Sequence, residues 1–414
     1  MRQLRLPQKL GWAAILLSLL AFRAAARAEE NSCLECHEDQ KKALAGSVHT
    51  GLTCTQCHGG NPASDDYEAA HAAKDFKPLS DKRDIVAKCA SCHSDVRMMN
   101  PYGLQADQLE RYKTSKHGEQ LLQHGDQKVA ACADCHGSHD ILKAKSPQAR
   151  TFPGNVPQTC GRCHADAKLM AGYNLPSDVL EKYKSSYHAH LLLEKGDLSA
   201  PTCVTCHGNH GATPPGTREV GQVCGKCHGR QAELFEKSPH AGLLNEDLKR
   251  AGATPRFHEC ISCHGNHAIQ KASINLFDQS CTRCHTDGTK PIAVRDAVAK
   301  IVGDANRDFE QADARVRQAE LRGLATEEEQ LLLGEARTQV TQLEVLQHTL
   351  SPEFLQPVAA HSAEIIGQTV SGVATLERVE RWKRLALIPI WLFFIVMAGL
   401  FWLKWRQLAR RRRP

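Results

Sequence analysis

Every cysteine in this 414-residue chain belongs to a Cys-x-x-Cys-His unit, and no other feature constrains the fold as tightly. The nine units are Cys33/Cys36/His37, Cys54/Cys57/His58, Cys89/Cys92/His93, Cys132/Cys135/His136, Cys160/Cys163/His164, Cys203/Cys206/His207, Cys224/Cys227/His228, Cys260/Cys263/His264 and Cys281/Cys284/His285. This spacing marks covalent c-type haem attachment: two thiols form thioethers with the porphyrin vinyl groups while the adjacent imidazole reaches the iron. Structural zinc sites and the disulfides of exported chains also use paired cysteines, but neither makes a demand on the next residue. Histidine is 22 of 414 residues, yet it follows all nine pairs. The expectation is nine covalently bound haem c groups, held by the eighteen cysteines and ligated by the nine motif histidines.

The two ends point to where such a chain would work. Residues 1–28 read as a cleaved signal peptide, with Arg2, Arg5 and Lys9 at the start and a short apolar run from Gly11 to Phe22. Ala26-Arg27-Ala28 then provides an A-x-A cleavage site, and the apolar run is too short to span a bilayer. Residues 385–403 carry no charge over a length sufficient for a transmembrane helix, with Trp382, Trp391, Trp402 and Trp405 in or beside them. The basic tail, 404–414, prefers the cytoplasmic side. The expected placement is the inner membrane by a single C-terminal span, with the haem domain in the periplasm.

The formal net charge of +6 comes from those ends. Residues 1–28 hold five basic side chains, and 377–414 hold ten basic and two acidic, so 29–376 retains 37 basic against 44 acidic. An acidic exposed domain counts against nucleic acid as a partner. It fits either a basic redox partner steered over long range or a plain solvated surface.

Spacing divides the motifs into two classes. From His93 and from His164 the chain runs twenty-four residues to a Ser-x-His, at His117 and His188. From His37 and His228 a shorter version runs twelve residues, to His49 and His240. The fourth, sixth and eighth motifs instead read Cys-His-Gly-x-His, which gives His139, His210 and His267. The second motif begins the same way without the second histidine, and its nearest candidate is His71. A two-haem module thus repeats about four times and a ninth motif follows.

A low-spin iron needs two strong axial ligands, and histidine serves commonly. Thirteen histidines lie outside the motifs. The Ser-x-His and Gly-x-His sets with His71 make eight, so the ninth iron is expected to take its ligand from the C-terminal helices, through His348 in preference to His361. His124 and His190 align with non-histidines in the sister repeat and read as surface residues, and His258 is an alternative to a weaker candidate. Met98, Met99 and Met170 suit helix packing better than ligation.

The expected fold is mostly α with extensive loops and little β. A multihaem array over 29–289 is followed by a helical hairpin or bundle over 290–384. Aromatic residues are 5% of the chain, too few for an ordinary core, so porphyrins are expected to fill the interior and couple folding to cofactor binding. Helices are expected over Ile292–Leu321, from Thr326 to about Leu350 with a Thr326/Glu329 capping box, and from Ser351-Pro352 toward the membrane. A dimerising coiled coil is the alternative use of this region.

The recurring motif pairs over 33–285 resemble the multihaem cytochromes c of the cytochrome c3/c7-like and doubled-CxxCH groups, without the Cys-x4-Cys-His variants common in true cytochromes c3. That resemblance implies close-packed, mostly bis-histidine haems that pass electrons between periplasmic or membrane partners. The anchor points to the quinol pool or a membrane quinol oxidoreductase as donor to periplasmic redox proteins, with the ninth motif, next to the C-terminal helices, as the expected contact between array and membrane. The long helices after the last motif are also similar to those of pentahaem nitrite reductases and octahaem hydroxylamine oxidoreductases, which implies an enzymatic alternative with one open haem. Against it, every motif ends in histidine rather than lysine, and Tyr112 and Tyr183 occupy matching repeat positions that suit packing better than a haem cross-link. N-terminal sequencing of the mature protein should begin at Glu29; a chain still starting at Met1 would refute the cleavage assignment.

Overall fold

The computed structural model describes residues 32–216, 220–249 and 257–411, so the signal segment, 1–28, and the end of the basic tail lie outside the described residues. The fold is mostly helical, and among the described residues there is no strand. The chain divides into two compact units, Met1–Pro214 and Pro215–Pro414. Six motifs fall in the first unit. The last three fall with the long helices, a different division from the single array expected over 29–289.

The first unit is built from short helices that each carry a motif or lead to one. Helices Cys54–His58, Lys82–His93, Cys132–His136, Val156–His164 and Cys203–His207 each contain a whole Cys-x-x-Cys-His. Positions i, i+3 and i+4 share one helix face, so a single turn presents both thiols and the imidazole together.

The two repeat signals have local causes. In Ser-x-His the serine is a buried helix cap: Ser115 Oγ accepts from Gly118 N at 2.9 Å and Ser186 Oγ from Ala189 N at 3.1 Å. The histidine two residues on is thereby fixed in the first helical turn. In Cys-His-Gly-x-His the glycine ends the motif helix with positive φ, +89° at Gly137, a conformation that a side chain would strain. That reversal lets the chain present a second histidine two residues later.

Apolar packing in this unit is thin. Its buried cluster comprises Val86, Leu121, Val129 and Ala131, while Val48, Leu52, Val96, Leu104, Leu175 and Leu193 are exposed. A core this small cannot stabilise some 180 residues by its own burial.

The second unit has a conventional core. Three long helices follow the ninth motif: α1 (Lys290–Leu321), α2 (Glu327–Leu346) and α3 (Pro352–Arg411). One buried cluster joins Val298, Val302, Val340, Leu343 and Leu355 from these helices to Leu234, which follows the seventh motif. A second cluster, with Ala312, Val316, Leu333, Ala336, Ile366 and Val373, continues the seam along the bundle. The expected capping box at Thr326 does not form: Thr326 caps α2 without a side-chain bond, and Glu329 is buried, packing where any Cβ on Gly372 would meet it. The close approach of α2 to α3 at that glycine takes precedence over the cap.

Helix α3 runs unbroken through the apolar run. An eighteen-residue window of it has mean hydropathy 2.4 with no residue of the window buried, so it is long and apolar enough to cross a membrane. Replacing Leu343, which is fully buried, by Ala should cost about 2–5 kcal/mol in chemical denaturation of the helical domain. Leu331→Ala, at a position 77% exposed, should leave the midpoint unchanged within about 0.5 kcal/mol.

Candidate metal and cofactor centres

Histidines distant in sequence meet in pairs, and each pair contains one motif histidine. The ring centroids stand 6.4 Å apart for His37–His71, 6.0 Å for His49–His93 and 6.0 Å for His58–His139. They are 6.1 Å apart for His117–His164 and 6.0 Å for His136–His210. In the second unit they are 6.1 Å apart for His240–His285 and 6.2 Å for His264–His348. An imidazole nitrogen binds a transition metal at about 2.0–2.1 Å, and the ring centre lies roughly 1 Å behind it, so rings either side of one ion stand about 6 Å apart. All seven pairs fit one metal ion between them.

The pairing follows a rule. His49, after the first motif, faces the third, and His117, after the third, faces the fifth; His240, after the seventh, faces the ninth. His139, after the fourth motif, faces the second, and His210, after the sixth, faces the fourth. In these five pairs the Ser-x-His histidine reaches forward by two motifs and the Gly-x-His histidine reaches back by two. His188 and His207 lie in the first unit, and His228 and His267 in the second.

This arrangement revises the assignment of the ninth motif. Its His285 faces His240 from the repeat, and His348 faces His264 of the eighth motif instead. The physical reason is position: His348 sits in the short 3-10 turn Gln347–Thr349 between α2 and α3, packed against the helix Gly229–Phe235. His361 is half exposed, between Glu335 and Glu364 at 3.8 Å each. His190 bonds Glu194 at 2.9 Å and His124 is exposed, while His258 begins the helix that carries the eighth motif. Met99 and Met170 are buried as packing residues, and Met98 is exposed.

Several rings are oriented from behind. His71 Nδ1 lies 2.7 Å from the Tyr67 carbonyl, His348 Nδ1 2.9 Å from the Val345 carbonyl and His58 Nδ1 3.0 Å from the Lys77 carbonyl. A ring that donates its Nδ1–H to a carbonyl keeps the Nε2 lone pair for a metal. Burial lowers His49, His93, His117, His136, His164, His210, His264 and His348 below the usual histidine range, which favours the neutral, ligating form.

No disulfide joins any of the eighteen cysteines, and their thiols form a chain of their own. The Cys89 and Cys132, Cys160 and Cys203, and Cys224 and Cys260 thiols act on one another, so that one of each pair is raised and the other lowered. The Cys33 thiol, raised chiefly by burial, also senses Cys54. These contacts join each odd motif to the even motif after it. Cys57 lies near Cys89 and Cys92, Cys135 near Cys163, and Cys263 near Cys281 and Cys284, joining even motifs to the next odd one. Attachment points therefore follow chain order from motif one to six in the first unit and from seven to nine in the second.

The thiols are not equally enclosed. Cys36, Cys206, Cys227 and Cys284 are exposed while the others are partly buried. Each of the four is the second cysteine of its motif, and the motifs concerned are the first, sixth, seventh and ninth. These are the motifs that begin and end the series within each unit. Their places on the motif turn, three residues after the first cysteine and next to the histidine, match those of the enclosed thiols.

Basic side chains clamp the even-to-odd joints. Lys88 Nζ donates to the Gln56 carbonyl at 3.1 Å, Arg162 donates to the Asp134 carbonyl, and Arg283 to the Ser262 carbonyl at 2.9 Å. Each acceptor immediately precedes the second cysteine of its motif. The sequence reading missed these residues; the signal was the arginine inside Cys160-Gly-Arg-Cys163 and Cys281-Thr-Arg-Cys284. Tyr112 and Tyr183 also position motifs, donating to the Ala130 and Pro201 carbonyls at 2.8 Å just ahead of Cys132 and Cys203.

The donor set discriminates among occupants. Among the described residues no cluster of three or more His, Cys, Asp or Glu could hold a metal ion. A structural zinc would need four protein ligands, whereas two imidazoles on opposite sides of an ion leave its equatorial positions to a macrocycle such as haem. The paired thiols beside each motif histidine and the exposed apolar side chains around them fit a covalently held porphyrin. Comparison with known protein families, curated proteins and solved structures finds no match. If each motif holds a haem, His348→Ala should convert one site in nine to a high-spin optical and EPR signature, while His361→Ala should leave the spectra unchanged.

Proposed function

We propose that this chain is a membrane-anchored, periplasmic nonahaem c-type cytochrome that carries electrons between redox partners. The observation that carries this reading is the set of seven histidine pairs with ring centroids 6.0–6.4 Å apart, each containing the histidine of a Cys-x-x-Cys-His unit. Haem, when bound, supplies reversible one-electron chemistry with a potential set by its ligands, burial and neighbouring charge.

The chain's own residues set the rest. The two imidazoles at each paired site would hold a haem iron from the protein side and leave no protein-free position for a substrate, which suits electron transfer. Thiol contacts from motif to motif bring the attachment points of successive porphyrins together, and tunnelling falls steeply with distance. The clamps from Lys88, Arg162 and Arg283 hold those separations. The carbonyl bonds of Tyr112 and Tyr183 argue against the hydroxylamine-type alternative, since both hydroxyls already have structural work. The apolar end of α3 supports an anchor in the inner membrane, and the signal segment supports export.

The ring geometry gives this reading a spectroscopic test. The interplanar angles are 26°, 9° and 18° at the second, fourth and eighth motifs, and 81°, 59°, 53° and 37° at the first, third, fifth and ninth. Mutual imidazole orientation controls the anisotropy of low-spin ferric haem. A pyridine haemochrome assay should give nine haems per chain, and low-temperature EPR should give low-spin signals alone, divided between near-parallel and strongly tilted ligand sets. A stoichiometric high-spin signal that shifts with nitrite or hydroxylamine would support the enzymatic alternative instead.

A further inference from the structure

The long helices fix a distance as well as a connection. Helix α1 begins at Lys290, five residues after His285, and α3 begins at Pro352, just past His348. The helix Gly229–Phe235, which follows the seventh motif, packs against α2 and the turn that carries His348. The seventh, eighth and ninth motifs therefore all sit at one end of the bundle. At the other end, α1 turns into α2, and Arg322 and Arg315 bond Glu377 of α3 at 3.0 and 3.6 Å. The uncharged run begins a few residues beyond, at Leu385.

A helix rises about 1.5 Å per residue, so the stretch of α3 from Pro352 to Leu385 is about 50 Å long. Even at a tilt of about 40°, the upper end of the usual range, it stands about 40 Å high. Prolines occur in α3 at Pro357 and Pro389. The second lies inside the apolar run, so a bend there tilts the whole rod without shortening it. The outer faces also give the rod no reason to lie on lipid. They carry alternating charges, including Lys300–Asp304 at 2.6 Å and Arg317–Asp313 at 2.7 Å. From 290 to 378, the exposed large apolar side chains are Leu321, Leu331 and Phe354, split between the two ends.

We infer that α1, α2 and the first half of α3 form a spacer that holds the last three motifs some 40–50 Å from the bilayer. Their electron partner is accordingly a redox protein reaching them through the water phase, and a quinol confined to the lipid is too distant to exchange with them. This rests on the haem and anchor readings above. It reverses the sequence expectation that the ninth motif is the contact between array and membrane.

The test uses the full-length haem-loaded protein in lipid nanodiscs. Electron cryomicroscopy should place the haems of the seventh to ninth motifs about 40–50 Å above the lipid surface. The Soret band should be fully reduced by dithionite. Density of the seventh, eighth or ninth haem at headgroup level overturns the spacer. Absence of haem, or of reduction by dithionite, overturns the underlying reading and is visible separately.

Discussion

Two imidazoles must face each other across about 6 Å, and most of the described architecture serves that requirement. The partners come from different motifs, so no motif is complete by itself. Serine caps hold one class of histidine in the first turn of a helix. Positive-φ glycines turn out the other class after the motif helix has ended. Carbonyl acceptors behind His58, His71 and His348 orient the rings, and burial keeps many of them neutral. The apolar cluster around Leu121 is too small to dictate this order, so the geometry of paired ligands takes the place that a hydrophobic core holds elsewhere.

Much of this was legible in the sequence because the relevant signals are local and repeated. Cys-x-x-Cys-His identifies a site within five residues, and Ser-x-His and Gly-x-His recur at fixed offsets because each is a helix-capping device. Partner choice was not legible, since it depends on contacts between residues far apart in the chain. The assignment of His348 shows the difference. Its availability as a ligand could be read from composition, but its place beside His264 follows from how the turn after α2 packs on the helix after the seventh motif. The exposure of Cys36, Cys206, Cys227 and Cys284 was hidden for the same reason, because identical motifs differ only in what stands next to them. The clamps were visible only in outline, as a basic residue inside or just ahead of an odd motif. Glu329 shows the opposite failure, where a sound local capping pattern gives way to the approach of α2 to Gly372.

The two units differ in what stabilises them. The second has a continuous apolar seam from Leu234 through Leu343 to Val373, and its three long helices need no cofactor to account for their packing. The first has paired thiols, paired imidazoles and exposed apolar side chains that a porphyrin would cover. The long helices of the second unit make a stiff, charge-studded rod with the last three motifs at one end. The rod's uniform packing makes its length a fixed dimension of the molecule.

The exchange of histidines by two motifs forward and two back raises a problem of ends. The first motif has no earlier module to lend it a ligand, and the eighth has no later Gly-x-His to lend one back. His71 and His348, the two paired histidines outside both repeat classes, fill those two vacancies. They act as terminators, comparable to the capping repeats that close a solenoid. The length of the series is therefore written into the chain at both ends, and growth by further modules would require each terminator to be displaced.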